Sequence, residues 1–348
     1  MAGKDGYGCD FLFKEVGSEK IFTPEDFSEQ QLMIAKTAED FVKTEVLPHA
    51  DEIEEKDLDL IVRLLKKAGE AGLLAIDIPE DYDGMALDKV SSMLVTEKLV
   101  LQASFGVSFG AHVGIGVLPI VYFGTAEQKD KYLPKLGTGE LLAAYALTEP
   151  GAGTDALSAK TKAILNEAGT HYVLNGTKQF ITNAGFADVF IVFAKIDGEK
   201  FTGFIVEKTD EGVTIGPEEH KMGIKGSSTA SVILEDVTIP KDRILGEIGK
   251  GHKIAFNILN FGRFKLGVGS VGGAKNQIDL AVKYANERKQ FGKPLSAFGA
   301  IQEMLAQSTA MTYAADAAAY RLAGCYDHLI DQIDKSDPDA SARIIKAI

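Results

Sequence analysis

The sequence predicts an α+β fold in three parts: an N-terminal helical domain over residues 1–140, a central antiparallel β domain over 141–246, and a C-terminal helical domain over 247–348. Three observations carry this. Apolar residues recur at helical spacing up to about residue 136, strand-like runs broken by Asn-Gly and Asp-Gly fill the middle, and helical spacing returns from about residue 252. At 348 residues the chain is also too long for one ordinary core.

In the first part, Ser28-Glu29-Gln30-Gln31 reads as a capping box. Ile34, Ala38, Phe41 and Val42 then mark one helical face that stops at Pro48. A second helix shows Ile61, Leu64, Leu65 and Ala68, with Gly69 and Gly72 near its end. In the middle, Asn175-Gly176 and Asp197-Gly198 favour tight turns with positive φ, so each predicts an antiparallel hairpin. A further strand is expected over Ser231–Ile239, where Val232 and Leu234 alternate.

In the last part, Gly267-Val268-Gly269-Ser270-Val271-Gly272 is a literal G-x-G-x-x-G with Glu287 following. A dinucleotide fingerprint needs a strand before its glycines. Here Ile254, Ile258 and Phe261 precede them at helical spacing, so a small-residue helix face that admits a second helix is the better reading. Asp337-Pro338-Asp339 reads as a helix start, with Ile344, Ile345 and Ile348 apolar behind it.

Composition narrows the function. Hydrophobic content of 45% and charged content of 25% are those of a globular chain. A formal net charge of −13 argues against nucleic acid as a partner but leaves room for a small anion. Cys9 and Cys325 cannot build a disulfide framework, which favours a reducing compartment. Residues 1–15 have neither signal-peptide nor transit character, and no apolar run is expected to span a bilayer. A cytoplasmic protein without an integral membrane segment is the expectation, and no metal site is expected.

Three segments carry candidate chemistry. Tyr145 to Asp155 joins a short apolar strand to a Gly/Pro loop with hydroxyl and acid groups, able to offer backbone N–H groups to a ligand; an ordinary surface turn has the same composition. Lys178 to Asn183 puts Phe180 and Thr182 on one side of a strand, an aromatic surface beside a hydroxyl that suits a flat heteroaromatic ring; a half-buried strand reads the same way. Glu287 to Leu295 places Arg288 and Phe291 at a helix end, where Arg288 suits either a phosphate or the helix dipole.

Taken together, T-E-P-G-A-G-T-D at 148–155, F-I-T-N at 180–183 and R-x-x-F-G at 288–292, with Lys221-Met222-Gly223-Ile224 and Gly249-Lys250-Gly251-His252, resemble the acyl-CoA dehydrogenase family. Phe298 to Ala306 is most similar to its very-long-chain branch. The resemblance implies FAD held between the β domain and the C-terminal helices. Tyr145, Leu147, Thr148, Gly153 and Thr154 would line the flavin, with Thr154 near acyl-CoA. Phe180 would stack on the ring, with Ile181 and Thr182 at its edge. Arg288 and Phe291 would contact FAD, often that of a neighbouring subunit, and Asn260 and Arg263 would face the thioester.

The implied reaction is α,β-dehydrogenation of an acyl-CoA to the trans-2-enoyl-CoA, within fatty acid β-oxidation. Electrons would pass to an electron-transferring flavoprotein, and a homo-oligomer is expected. An acyl-CoA oxidase or flavin monooxygenase of the same fold, or a non-catalytic assembly factor derived from it, are the alternatives.

Departures are visible. The stacking position holds Phe180 where the family often has Trp, and Gly299 stands where many members have Gln. Gly262 stands where one subgroup carries its catalytic Glu before the helix arginine. The majority carry the base in a later region, so the base is expected beyond Ile348 and the catalytic residue is unknown within the chain. The chain as given is therefore expected to be truncated and catalytically weak.

Overall fold

The computed structural model describes residues 21–334, 337 and 339–347. The expectations at Cys9, residues 1–15, Pro338 and Ile348 lie outside the described residues. Helices α1 (Glu29–Phe41), α2 (Ala50–Glu54), α3 (Leu58–Glu70), α4 (Lys89–Leu99), α5 (Ala103–Gly110), α6 (Leu118–Phe123) and α7 (Ala126–Thr138) come first. Strands β1 (Ala143–Ala146), β2 (Lys162–Leu165), β3 (His171–Thr182), β4 (Val189–Ile196), β5 (Lys200–Glu207), β6 (Val213–Ile215), β7 (Thr229–Pro240) and β8 (Ile244–Leu245) follow. Helices α8 (Gly251–Glu287) and α9 (Gly299–Asp331), joined by a small hairpin of β9 (Lys289–Gln290) and β10 (Lys293–Pro294), precede α10 (Ala340–Ala347).

The capping box at the start of α1 is present: Ser28 Oγ accepts from Gln31 N–H at 3.2 Å, and Gln31 Oε1 accepts from Ser28 N–H at 2.9 Å. Pro48 does not end the helical path. The backbone passes through a π-helical segment (Val42–Val46) and a 3₁₀ turn (Leu47–His49) into α2, because Pro near the start of a new turn gives up an N–H that has no partner there anyway.

The eight strands form one sheet in the order β6-β7-β3-β2-β4-β5-β8, with β1 also on β4. Most pairings are antiparallel, but β1 and β2 both run parallel to β4, so the sheet is mixed rather than purely antiparallel. β4 is buried on both faces: Ile191 and Phe193 join the core shared with the helices, while Phe190 and Val192 face β3 and β7. That explains its unbroken apolar run.

Asp197 and Gly198, with φ of 54° and 75°, make the expected turn between β4 and β5. Asn175-Gly176 does not make a turn. β3 runs through it, and the pairing with β7 shifts register between Leu174 and Gly176. A Cβ on Gly176 would lie 2.4 Å from Thr161 Oγ1, so the glycine serves a close approach inside a bulged strand.

The Gly267–Gly272 segment lies within α8, as the helical spacing indicated. A Cβ on Gly272 would sit 2.4 Å from Glu97 O of α4, so small residues here let the two helices close up. A buried ion cluster pins the same contact. Asp77 accepts from Lys89 of α4 at 2.6 Å and Lys265 of α8 at 3.1 Å.

One expectation fails on length. The continuous run Ala103–Phe123 is long and apolar enough to cross a membrane, yet 78% of its most apolar 18-residue stretch is buried within the protein. The alternation of Ala, Gly, Ser and Phe hides its apolarity from a search for unbroken runs, and it serves as a core helix.

Candidate functional site

β1 delivers Tyr145 and Leu147 to the edge of the sheet, where a Gly/Pro loop follows. Tyr145 is buried against Phe193, and its hydroxyl donates to Ala255 O of α8 at 3.1 Å. Burial raises this phenol far above its ordinary value, so it stays protonated and joins sheet to helix.

Glu149 shapes the loop. Its carboxylate accepts from Lys160 N–H at 2.5 Å, Thr161 N–H at 3.1 Å, the Thr161 hydroxyl, and the Lys178 ammonium at 2.7 Å. Burial opposes charge here, but Lys178 and the loop donors outweigh it and hold Glu149 below the usual carboxylate range. Thr148 O in turn accepts from Gln179 N–H at 2.9 Å, tying the loop to β3. Glu149 is thus an ordering group, already saturated with donors.

β3 ends in a bulge between Lys178 and Ile181. Phe180 takes φ of 57°, a left-handed conformation costly for a bulky residue, and its ring is 57% exposed. Strain and exposure coincide at one aromatic ring, a pattern typical of ligand-contacting positions.

These parts surround a cavity of about 440 Å³ lined by Ile115, Tyr145, Leu147, Thr148, Gly153, Thr154, Ala156, Phe180, Ile181, Thr182, Phe256, Leu259 and Arg263. All eight candidates from the loop and the bulge face it, together with Arg263 from α8. Alternation predicted Phe180 and Thr182 on one side, but the bulge brings Ile181 to the cavity as well.

Asn260 is not in the lining. It accepts from Arg263 Nη1 at 2.8 Å and orients that guanidinium. Arg288 and Phe291 are not brought to the cavity either. They lie at the far end of α8, where Phe291 (φ 51°) and Gly292 (φ 76°) turn the β9–β10 hairpin. The Phe291 ring is 92% exposed.

Phe256 and Leu259 were missed, although their spacing with Arg263 is one face of a helix and was legible. Ile115 had no such signal, since it reaches the cavity from the π-helical turn Ala111–Gly116. Among the described residues the lining holds no carboxylate. Gly262 lies beside this wall, its Cβ position 3.1 Å from Ile115 Cγ2.

The arrangement offers an apolar slot with three aromatic side chains, three threonine hydroxyls and one guanidinium. A Cβ at Gly151 or Gly153 would meet nothing within 4 Å, so the loop backbone is open to a ligand.

Models of the N-terminal, middle and C-terminal domains of acyl-CoA dehydrogenases match residues 28–140, 144–237 and 249–347. A probable acyl-CoA dehydrogenase of Bacillus subtilis is 55% identical over 341 residues, 98% of this chain and 57% of that protein. The structure of an acyl-CoA dehydrogenase complexed with FAD from Bacillus anthracis superposes with a TM-score of 0.96 at 56% identity, covering 99% of this chain and 59% of that one. The chain thus spans somewhat over half the length of these two relatives. Another acyl-CoA dehydrogenase of Bacillus subtilis is 39% identical over 305 residues, 86% of this chain and 80% of its own length. With three domain models in chain order and a relative covered over four fifths of its length, this chain belongs to the acyl-CoA dehydrogenase family.

Proposed function

We propose that the cavity between the β sheet and α8 holds the flavin ring of FAD and the thioester end of an acyl-CoA, and that the protein dehydrogenates the acyl chain between its α and β carbons. The observation that carries this reading is Phe180, strained in its backbone and 57% exposed, in one cavity with Thr182. The site fits the cofactor: a planar ring needs an exposed aromatic face, edge donors and a wall free of side chains. Phe180, Thr148 with Thr182, and Gly153 supply these.

FAD, when bound, supplies the hydride acceptor. The chain's own residues hold the ring and shield the slot. Phe180 would cover one ring face, while Thr148 and Thr182 would offer hydroxyls at the ring edge. Tyr145, Leu147, Phe256 and Leu259 exclude water from the slot. Arg263, oriented by Asn260, would supply positive charge to an acyl-CoA in the cavity that Thr154 also lines.

Arg288 and Phe291 face solvent on a hairpin with one strained aromatic, which suits contact with FAD in a second copy of the chain. A homo-oligomer therefore belongs to the reading. So do an electron-transferring flavoprotein as acceptor and long acyl chains as substrates, the latter on the likeness of Phe298 to Ala306 to the very-long-chain branch. The low cysteine count favours a cytoplasmic setting.

Reconstitution tests the core of it. Purified chain mixed with FAD and freed of excess should retain about one flavin per chain and show a perturbed flavin absorbance spectrum. Loss of the flavin on desalting, with no thermal shift, refutes the assignment.

A further inference from the structure

The apolar run Ala103–Phe123 carries polar residues at Ser104, Ser108 and His112, four apart and therefore on one stripe. All three are 0% exposed. Each is matched to the backbone or a side chain of the β region. Ser104 Oγ accepts from Gly226 N–H at 3.2 Å and donates to Glu54, whose other oxygen accepts from Lys225 N–H at 3.1 Å. The Ser108 carbonyl accepts from Asn183 Nδ2 at 2.9 Å. His112 Nδ1 accepts from Ala143 N–H at 3.0 Å, and its Nε2–H donates to Leu136 O at 3.0 Å.

Two of these rungs end where the cavity walls begin. Ala143 opens β1, the strand that carries Tyr145 and leads to Thr148. Asn183 follows Thr182 directly, is fully buried, and holds φ of 68°. The same helical run then contributes Ile115 to the cavity itself.

We infer that the Ser104–Ser108–His112 stripe is a strut that sets the separation of the two cavity walls, with His112 and Asn183 as positioning residues for the cofactor. The inference rests on reading the cavity as a flavin site. Apolar side chains fill such a helix interface without defining one register, whereas directional hydrogen bonds at Ser104, the Ser108 carbonyl and His112 are met in only one arrangement. The strut also carries a cost. Ser108 Oγ and Asn183 Oδ1 are buried without a protein partner, and an unsatisfied buried polar atom is destabilising. Both lie at this junction, which is where geometry is being defined. Burial keeps the His112 imidazole neutral, with a pKa of about 4, so Nδ1 is free to accept.

Three variants test it. Asn183→Gly suits the left-handed backbone and removes the side-chain bond to Ser108 O. His112→Phe keeps a ring and removes both bonds. Gln128→Ala, the control, removes the bonds to Asp242 O and Ile244 O away from the cavity. Hydrogen exchange in the cofactor-free chain and the FAD dissociation constant are the readouts.

Asn183→Gly should speed exchange across 180–184 and weaken FAD at least fivefold. His112→Phe should do the same with exchange centred on Ala143. Gln128→Ala should leave FAD affinity within twofold. Wall variants that bind FAD within twofold of the parent, or a control that weakens FAD equally, overturn the strut. If His112→Phe does not fold, Asn183→Gly decides. A parent chain that takes up no FAD overturns the flavin reading instead, and exchange at the two walls then decides the strut.

Discussion

Glu149→Gln is the perturbation with the clearest expected size. The Glu149 carboxylate faces the Lys178 ammonium at 2.7 Å, with side chains 6% and 0% exposed. Lys178 has one other acceptor, Leu147 O at 3.3 Å. An amide at position 149 strands that ammonium and turns an N–H₂ towards donors from Lys160 and Thr161. Breaking a buried pair from one side costs about 3–5 kcal/mol.

Lys178→Met should cost less, about 1–3 kcal/mol, because the carboxylate keeps the three donors from Lys160 and Thr161. The double variant should recover part of the loss, with a coupling energy of about 1.5 kcal/mol or more. Equilibrium urea unfolding of the four proteins measures all three quantities. FAD affinity should fall with Glu149→Gln, since the loop that lines the cavity loses its anchor. A loss below about 0.5 kcal/mol for Glu149→Gln, the range of an ordinary surface change, or a double variant worse than the sum of the singles, would refute the assignment of Glu149 as the loop's anchor.

Three further outcomes are expected. Thr182→Val keeps shape and deletes one hydroxyl, so the loaded protein should bind FAD about twofold to tenfold more weakly or shift its flavin potential, as expected for one bond worth about 0.5–1.5 kcal/mol; unchanged values remove Thr182 from the site. His112 has its pKa depressed to about 4 in the fold, so the unfolded chain takes up the proton first: its stabilising contribution is complete above about pH 6.5 and fades as pH falls towards 4. The loss is about 1.4 kcal/mol at pH 5.5, measurable as a steeper pH dependence of urea stability in the parent than in His112→Phe. Gly272→Ala should destabilise, because its Cβ would lie 2.4 Å from Glu97 O, whereas Gly273→Ala meets nothing within 4 Å and should stabilise α8 by up to about 1 kcal/mol; equal melting temperatures would contradict the α4–α8 packing.

What the sequence determined by itself was whatever short-range chemistry encodes. Ser28 and Gln31 cap a helix through their own backbone neighbours, and Asp197-Gly198 turns a hairpin through its own φ angles. Ile254, Ile258 and Phe261 announce a helix through their spacing, which was enough to reject the glycine fingerprint. The ordered motifs around Thr148, Phe180 and Arg288 were enough to point to the family. The tertiary structure decided the matters that depend on a distant neighbour. Asn175-Gly176 became a bulge because Thr161, just before β2, packs against it, not because of anything within the dipeptide. Ile115 entered the cavity through a π-helical turn, and Arg288 and Phe291 stood apart from it at the end of a 37-residue helix. Glu149, an acid of the loop motif, became a saturated anchor only when Lys178 arrived from a strand 29 residues away. A buried charge takes its role from whatever shares its low-dielectric surroundings, and that company is assembled only by the fold.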